Sequence, residues 1–282
     1  MSRLIDHLVL AARDLDALAG RFAALGFTLT PRAFHEDRMG TSNRLVQLAS
    51  EVFIELLEVD RPRLPGPHDY SSSPPMFSFG AHNRTFLERR EGLSMLVLKS
   101  VDVDGDLADF AAAGLQTYAP FEFGRRARQP DGRELEVRFR LGFVTNPEMP
   151  EIGFFVCHNL YPENFWKAAY QNHANGALAI SAVYLCAREP ACHKGFLAAL
   201  LAVPGEDVDG GLLFRCTDNV QVYVLTPDRC RDLAADAPLE TDHGPVLAGF
   251  RLDRVGETTM TPRVTPAGDA GGAFIPWGEL AS

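Results

Sequence analysis

The sequence predicts an α+β protein of tandem βαβββ modules, whose curved mixed sheets form two module pairs with the last module truncated. Two observations predict this class: a twenty-residue segment recurs at an offset of 88 positions, and each copy runs on into the same order of apolar stretches and turns. With 282 residues, 46% of them hydrophobic, the chain is long enough for two domains of about 100–200 residues each. We place them at 1–175 and 176–282.

The first strand and helix of each module come from the repeat itself. Residues 8–27 read LVLAARDLDALAGRFAALGF and residues 96–115 read LVLKSVDVDGDLADFAAAGL, with nine identical positions. Each copy has a short apolar run, an Asp before an amphipathic stretch, and a Gly that ends it. This pattern predicts a strand followed by a capped helix.

The remaining strands complete modules at about 4–60 and 92–160. RLVQLAS and VFIELLEV, separated only by Glu51, predict a β-hairpin in the first module. YAPFEFGRRAR, a PDG turn, ELEVRFRLGFV and EIGFFVCHNL give the same order in the second. Between the two modules, MFSFGAHNRTFLERRE is compatible with a short helix.

A weaker copy, ISAVYLCAREPACHKGFLAALLAV, predicts a third module. VLAGFRLDRV then predicts the first strand of a fourth. The residues after that strand have no helical periodicity, so we expect the fourth module to lack its helix.

Charge and composition restrict the partners. The net charge of −10 argues against nucleic acid, because proteins that bind it usually carry a basic face. No stretch reaches the roughly 18 apolar residues of a membrane span, and the first residues lack the features of a signal peptide. Five cysteines without a CxxC pair fit reduced thiols in the cytoplasm better than disulfides or a zinc ribbon. We expect a small-molecule ligand.

Polar residues on otherwise apolar strands are the candidate metal ligands. His7 lies on the first strand of module one and Glu55 on its last, where burying a carboxylate is costly unless a positive charge compensates for it. In module two, the repeat places Met95 at the position of His7, and the last strand carries His158. His7, Glu55 and His158 would form a 2-His-1-carboxylate site. The side chains would meet on the concave side of the curved sheet, which we call the cup. Strand parity leaves open whether Cys157 or His158 faces it.

Other residues are candidates for substrate contact, with Glu55 also the candidate catalytic group. Asn43 and Arg44 follow a turn at Gly40, and His173 lies in the connection between the module pairs, where it either lines the mouth of the cup or caps a turn. Met95 and Phe155 would contribute apolar surface. The histidines without a matching partner are predicted to be solvated: His35, His68, His82, His193 and His243.

The segments IDHLVLAARDL, GTSNRLVQLASEVFIELLEV and FFVCHNLYPENFWKAAYQNHANGA resemble the glyoxalase-like domain of vicinal oxygen chelate proteins. The resemblance covers roughly residues 3–176. It implies paired βαβββ modules and a divalent metal held by first- and last-strand residues, here His7, Glu55 and His158. Similar proteins usually have Gln and His around positions 158 and 159, so the third ligand departs from the pattern.

Three functions follow as hypotheses. The first is an enzyme of lyase or isomerase type that uses a divalent ion (Fe, Mn, Zn, Ni or Mg) as Lewis acid toward a substrate with two adjacent oxygens. The second is an Fe(II) extradiol-type dioxygenase. The third is a non-catalytic protein that binds an antibiotic-type small molecule in an apolar cup. A homodimer is compatible with each of them.

Overall fold

The structure is a computed structural model that describes residues 2–128, 132–217, 220–254 and 263–279. It confirms the predicted α+β class, with the strands joined into a curved sheet. None of the helices in these ranges is long and apolar enough to cross a bilayer.

The first module has the predicted order. Its elements are β1 (Ile5–Ala11), α1 (Leu15–Ala24), β2 (Ala33–Phe34), β3 (Ser42–Gln47) and β4 (Phe53–Glu58). Strand β4 pairs in parallel with β1 and antiparallel with β3, which confirms the hairpin. Helix α1 begins after Asp14, whose carboxylate accepts a hydrogen bond from the Ala17 amide at 2.9 Å. This satisfies an amide that the first helical turn leaves free.

The second module repeats this order after an intervening helix, as predicted. The elements are α2 (Phe79–Arg89), β5 (Gly92–Lys99), α3 (Val103–Ala112), β6 (Gln116–Thr117), β7 (Phe121–Arg128), β8 (Glu134–Thr145) and β9 (Gly153–Asn159). Asp102 caps α3 as Asp14 caps α1, accepting from the Gly105 amide at 3.1 Å. Strands β1 and β5 run antiparallel and join the two modules.

The described residues after Asn159 have the strand and helix order predicted for a third module, followed by three more strands. The elements are α4 (Pro162–Phe165), β10 (Ala177–Cys186), α5 (Lys194–Leu201), β11 (Gly205–Val208), β12 (Gly211–Arg215), β13 (Gln221–Leu225), α6 (Pro227–Leu233), β14 (Val246–Arg254), β15 (Arg263–Thr265) and β16 (Ile275–Glu279). In the described part of the chain, no helix follows β14. Strand β14 also pairs with β5, through Leu247 and Leu93. The division of the chain into two domains at Asn175 stays a prediction.

Alternate residues of a strand belong to two different apolar clusters, one against the helices and one on the concave face of the sheet. On β1, Leu8 and Leu10 pack against the helices, while Val9 belongs to a separate cluster on the concave face with Met95 and Val97 of β5. Each large apolar side chain that leaves water in this way contributes about 1.5–3 kcal/mol. A shift of one residue would exchange the two faces, so this packing fixes which side chains line the cup.

Candidate functional site

Glu55 is the central polar residue of the concave face. It lies on β4 between β1 and β3, paired with Val9 on one side and Leu45 on the other. His7 and Asn43 face the same side from positions diagonal to it. The Glu55 side chain is 5% exposed, and a carboxylate at this depth requires compensating donors or charges.

His7 is oriented by its sequence neighbour. Its Nδ1 lies 2.5 Å from an Asp6 carboxylate oxygen, so the Nδ1 hydrogen is donated to Asp6 and Nε2 is directed into the cup. Nε2 lies 3.8 Å from Glu55 Oε2. The imidazole also stacks on Phe53, with ring centroids 4.2 Å apart. These contacts fix both the tautomer and the plane of the ring.

His35 enters the cup from the loop between β2 and β3. The loop folds back at Gly40, which has φ +63° and whose added Cβ would lie 2.6 Å from Pro65 Cδ. Arg61 donates to the carbonyl oxygens of His35 and Thr41, both at 2.9 Å. His35 is therefore buried, and the expectation that it is solvated was wrong.

The hydrogen bonds of Asn43 define the state of His35. The Asn43 amide nitrogen donates to Glu55 Oε1 at 2.6 Å and lies 3.2 Å from His35 Nε2. Because an amide nitrogen can only donate, His35 Nε2 is the acceptor, and His35 Nδ1 donates its hydrogen to the Thr41 hydroxyl at 2.8 Å. Burial, with a further effect from Arg125, lowers the pKa of His35 to about 3, so the ring is neutral at physiological pH.

Opposing effects act on Glu55. Burial raises the pKa of this carboxyl, while His7, the Asn43 hydrogen bond and Arg125 act against that rise. The Nε2 atoms of His7 and His35 face the two oxygens of Glu55 at 3.8 and 3.6 Å. These separations are longer than a hydrogen bond, and the acceptor nitrogen of His35 repels the carboxylate unless something positive lies between them.

Arg125 supplies a cation at the same place. It lies on β7, where Phe121, Phe123 and Arg125 alternate with residues of the other face, and it borders the cavity beside Phe123. Its charge is close enough to Glu55 to influence the pKa of that carboxyl. The polar groups of the cup are therefore a carboxylate, two imidazoles, an amide and a guanidinium.

The walls around this group are apolar. The cavity that they leave has a volume of about 40 Å³ and is open on one side. Its lining includes six phenylalanines: Phe53, Phe79, Phe123, Phe139, Phe155 and Phe165. Cys157 also lines it, and burial raises the pKa of that thiol.

The structure brings some of the predicted residues together and separates others. Glu55, His7, Asn43 and Phe155 line one cavity. His158 does not: it lies on the face of β9 that Phe154 and Val156 share, and it borders a different groove. Cys157 occupies the inward position, which settles the parity of this strand.

The other residues predicted to contact a substrate do not line this cavity. Arg44 points to the outer face and pairs with Asp16 at 3.2 Å. His173 accepts from the Thr28 amide at 3.0 Å and bonds the Gln47 carbonyl at 2.8 Å, so it fastens the connection after α4 to the first module. Met95 is on the concave face, but it is covered there by Asn83 of α2.

Three polar residues of the site were not recognised in the sequence. Asp6 and Arg125 have a detectable signal, because Asp6 precedes a candidate ligand and Arg125 continues an inward-facing row of phenylalanines. His35 has none, since its loop is polar throughout. His82 and His193 are also buried rather than solvated, whereas His243 is exposed as expected.

As the side chains lie, no three His, Cys, Asp or Glu groups among the described residues are arranged to enclose a metal ion. Two donor pairs that share Glu55, His7 with Glu55 and His35 with Glu55, come within 4 Å. For a divalent ion with ligand distances of about 2.0–2.2 Å, two ligands can lie up to about 4.2 Å apart. Each pair satisfies that limit.

Comparison with known proteins identifies a family and a fold. The sequence model of a family described as glyoxalase-like domain matches residues 5–201. A hypothetical protein from Staphylococcus aureus has a TM-score of 0.70 at 14% identity, covering 99% of this chain and 100% of its own. No curated protein matches the chain.

Two further solved structures have a TM-score of 0.53. One is a mutant of 4-hydroxymandelate synthase from Streptomyces coelicolor, 13% identical, with 91% of this chain and 72% of that chain covered. The other is a xylose isomerase-like TIM barrel/4-hydroxyphenylpyruvate dioxygenase fusion protein, 15% identical, with 91% and 37% covered. At these identities the likeness concerns the fold alone.

Proposed function

Because the chain belongs to the glyoxalase-like domain family of the vicinal oxygen chelate superfamily, we propose that it is a divalent-metal-dependent enzyme of lyase or isomerase type. Its substrate is a small molecule with two adjacent oxygens. The observation that carries the proposal is the convergence of His7, His35 and Glu55 in one apolar cavity.

The donor set fits a divalent ion. His7 and His35 each have Nδ1 engaged by an oxygen and Nε2 turned toward Glu55. Histidines that ligate metals commonly donate their other N–H to an oxygen in this way. In addition, Asn43 Oδ1 is buried without a hydrogen-bond partner. The proposed ligands are therefore His7, Glu55 and His35, with His35 in place of His158.

An ion bound by these residues would supply a Lewis acid for an oxyanion that develops on the substrate. The chain itself provides the remaining functions. Glu55 is positioned to accept and return a proton, because its carboxylate lies in the cavity and burial makes it more basic. The phenylalanine walls exclude water, and Asp6 keeps the His7 ring in place.

Metal analysis of the purified protein tests this proposal. Wild type should contain a divalent ion, and His7→Ala, His35→Ala and Glu55→Ala should each lose most of it. His158→Ala is the matched control, because this histidine lies on the other face of β9 and its loss should leave occupancy unchanged. Equal and negligible metal in all five proteins would end the idea.

A second candidate is an Fe(II) extradiol-type dioxygenase. The observation that favours it is the composition of the donor set, two imidazoles and one carboxylate, which is the set used by many non-haem Fe(II) oxygenases. The discriminating measurement is oxygen uptake with catechols after anaerobic reconstitution with Fe(II). Uptake that His35→Ala abolishes and His158→Ala preserves would support this chemistry, and no uptake with any catechol would exclude it.

A further inference from the structure

Arg125 has a position that the metal chemistry does not explain. On β7 the odd-numbered residues face the cup, so the row Phe121, Phe123, Arg125 brings a guanidinium to its rim. Arg126, the next residue, faces the opposite way and is 81% exposed. The two neighbours therefore have the same chemistry and different environments.

The Arg125 side chain is only partly exposed, and its guanidinium has no matching partner. Its Nε has no exposed surface and no hydrogen bond, and within the described residues no carboxylate lies within 4 Å of it. Leaving a buried donor unsatisfied costs free energy. A guanidinium stays charged at all physiological pH values, so the group is suited to an anion that arrives from outside.

Arg125 also lies where the cavity opens. It borders the cavity of Glu55 and His7, and also the two outer grooves. One of these grooves is lined by Arg32, Arg126 and Lys167 against a single carboxylate, Glu134. The other groove has four glutamates in its lining, so the first is the basic one. In a chain of net charge −10, a basic entrance of this kind favours the approach of an anionic ligand.

We propose that Arg125 binds a carboxylate of the substrate at the mouth of the cavity, and that the apolar body of the substrate is aromatic and lies among the phenylalanine rings. The substrate class is thus a small aryl-substituted carboxylic acid. A carboxylate matches the two parallel donors of a guanidinium, and stacked or edge-on contacts are available from Phe53, Phe123 and Phe155. This inference rests on the proposed function only in taking the same cavity as the substrate site.

The test measures binding of simple probes to chelator-treated protein, so that it does not depend on a metal. Phenylacetate, 3-phenylpropanoate and 4-phenylbutanoate are compared by calorimetry with the alcohols of equal length. The carboxylates should bind wild type at least about tenfold more tightly than the alcohols, as expected for a charge-assisted pair. Equal binding of acids and alcohols, or no binding of any acid, would overturn the proposal.

Variants assign the effect to Arg125. Arg125→Gln should remove the preference for carboxylates, and Arg125→Lys should restore part of it, because the charge returns without the planar pair of donors. Arg21→Gln is the control, because Arg21 is exposed on α1 and borders neither the cavity nor its grooves, and it should behave as wild type. A carboxylate preference retained in folded Arg125→Gln, checked by circular dichroism, would assign the anion to another residue and overturn the inference.

The two proposals fail separately. Arg125→Gln should keep the metal content of wild type, since the guanidinium is not a ligand. Carboxylate binding that depends on Arg125 in a chain that never holds metal would leave this inference intact and end the proposed function. Metal binding by His7 and Glu55 without carboxylate preference would do the reverse.

Discussion

The substitution Glu55→Gln should have opposite effects on stability in the absence and presence of metal. In metal-free protein, Asn43 is the one side chain among the described residues that donates a hydrogen bond to the Glu55 carboxylate, at 2.6 Å. His7 and His35 lie too far away to bond it. A buried charge so sparsely satisfied costs about 1–3 kcal/mol, of which nearby His7 and Arg125 return a part.

The neutral amide should therefore stabilise the metal-free chain by about 1 kcal/mol, or about 2–4 °C in melting temperature for a chain of this size. A divalent ion at a hundred times its dissociation constant should stabilise wild type by about 2.7 kcal/mol. That exceeds the gain from the amide, so wild type becomes the more stable protein when metal is added. The order of the two melting temperatures should reverse.

The pH dependence of the metal-free difference has a defined sign. Burial raises the pKa of Glu55 above its usual 4.5 in the folded chain, so the folded chain takes up this proton at a higher pH than the unfolded chain does. Wild type then gains stability relative to Glu55→Gln as pH falls through the raised pKa, and the gain levels off below 4.5. The advantage of the amide is greatest at neutral pH.

Differential scanning fluorimetry with chelator, and then with each divalent ion, measures both effects. Glu51→Gln is the control, because Glu51 is exposed in the turn of the same hairpin and should change neither melting temperature. A less stable Glu55→Gln in chelator would refute the argument from burial. Equal stabilisation of both proteins by metal would refute the role of Glu55 as a ligand.

Three further predictions concern the surroundings of this carboxylate. Burial, followed by Arg125, holds the pKa of His35 at about 3, so wild type loses stability as pH falls below 6.5. His35→Gln should be less sensitive by about 2 kcal/mol between pH 6.5 and 4.5, measured by urea denaturation. Parallel curves for the two proteins would contradict this. Asp6→Asn should lower divalent-ion affinity about 10–100-fold in a metal titration, and unchanged affinity would exclude its orienting role. Gly40→Ala should destabilise the chain by about 2 kcal/mol because of its positive φ and close neighbours, whereas Gly20→Ala, with open space in α1, should stabilise it slightly; equal effects would contradict the geometry.

The sequence predicted the fold well because the information is local and repeated. Asp14 and Asp102 mark the two helix starts, and alternating or continuous apolar runs mark the strands. The same regularity placed His7 and Glu55 on inward positions of neighbouring strands. It also led us to expect no helix after β14, since no periodic apolar stretch follows that strand, and residues 263–279, the described part of the chain beyond it, contain none.

The site was predicted only where it lies on regular strands. His158 and Cys157 are adjacent on β9, and sequence cannot decide between faces when one residue of register exchanges them. His35 depends on a loop that folds back at Gly40 and is held by Arg61, which are contacts between distant parts of the chain. Such contacts leave no periodic pattern, so a polar loop of this kind is interpreted as solvated.

The two modules of the first pair contribute differently to the cup, and this asymmetry explains the departure of module two from a repeated ligand pattern. At the position equivalent to His7, module two has Met95, which α2 covers, and its last strand turns Cys157 inward. Its polar contribution is Arg125, on a strand whose counterpart in module one, β2, is two residues long. A donor set confined to module one leaves the opposite wall free to recognise a substrate. Substitutions on β7 should therefore alter which molecules bind, and substitutions on β1 or β4 should alter whether metal binds.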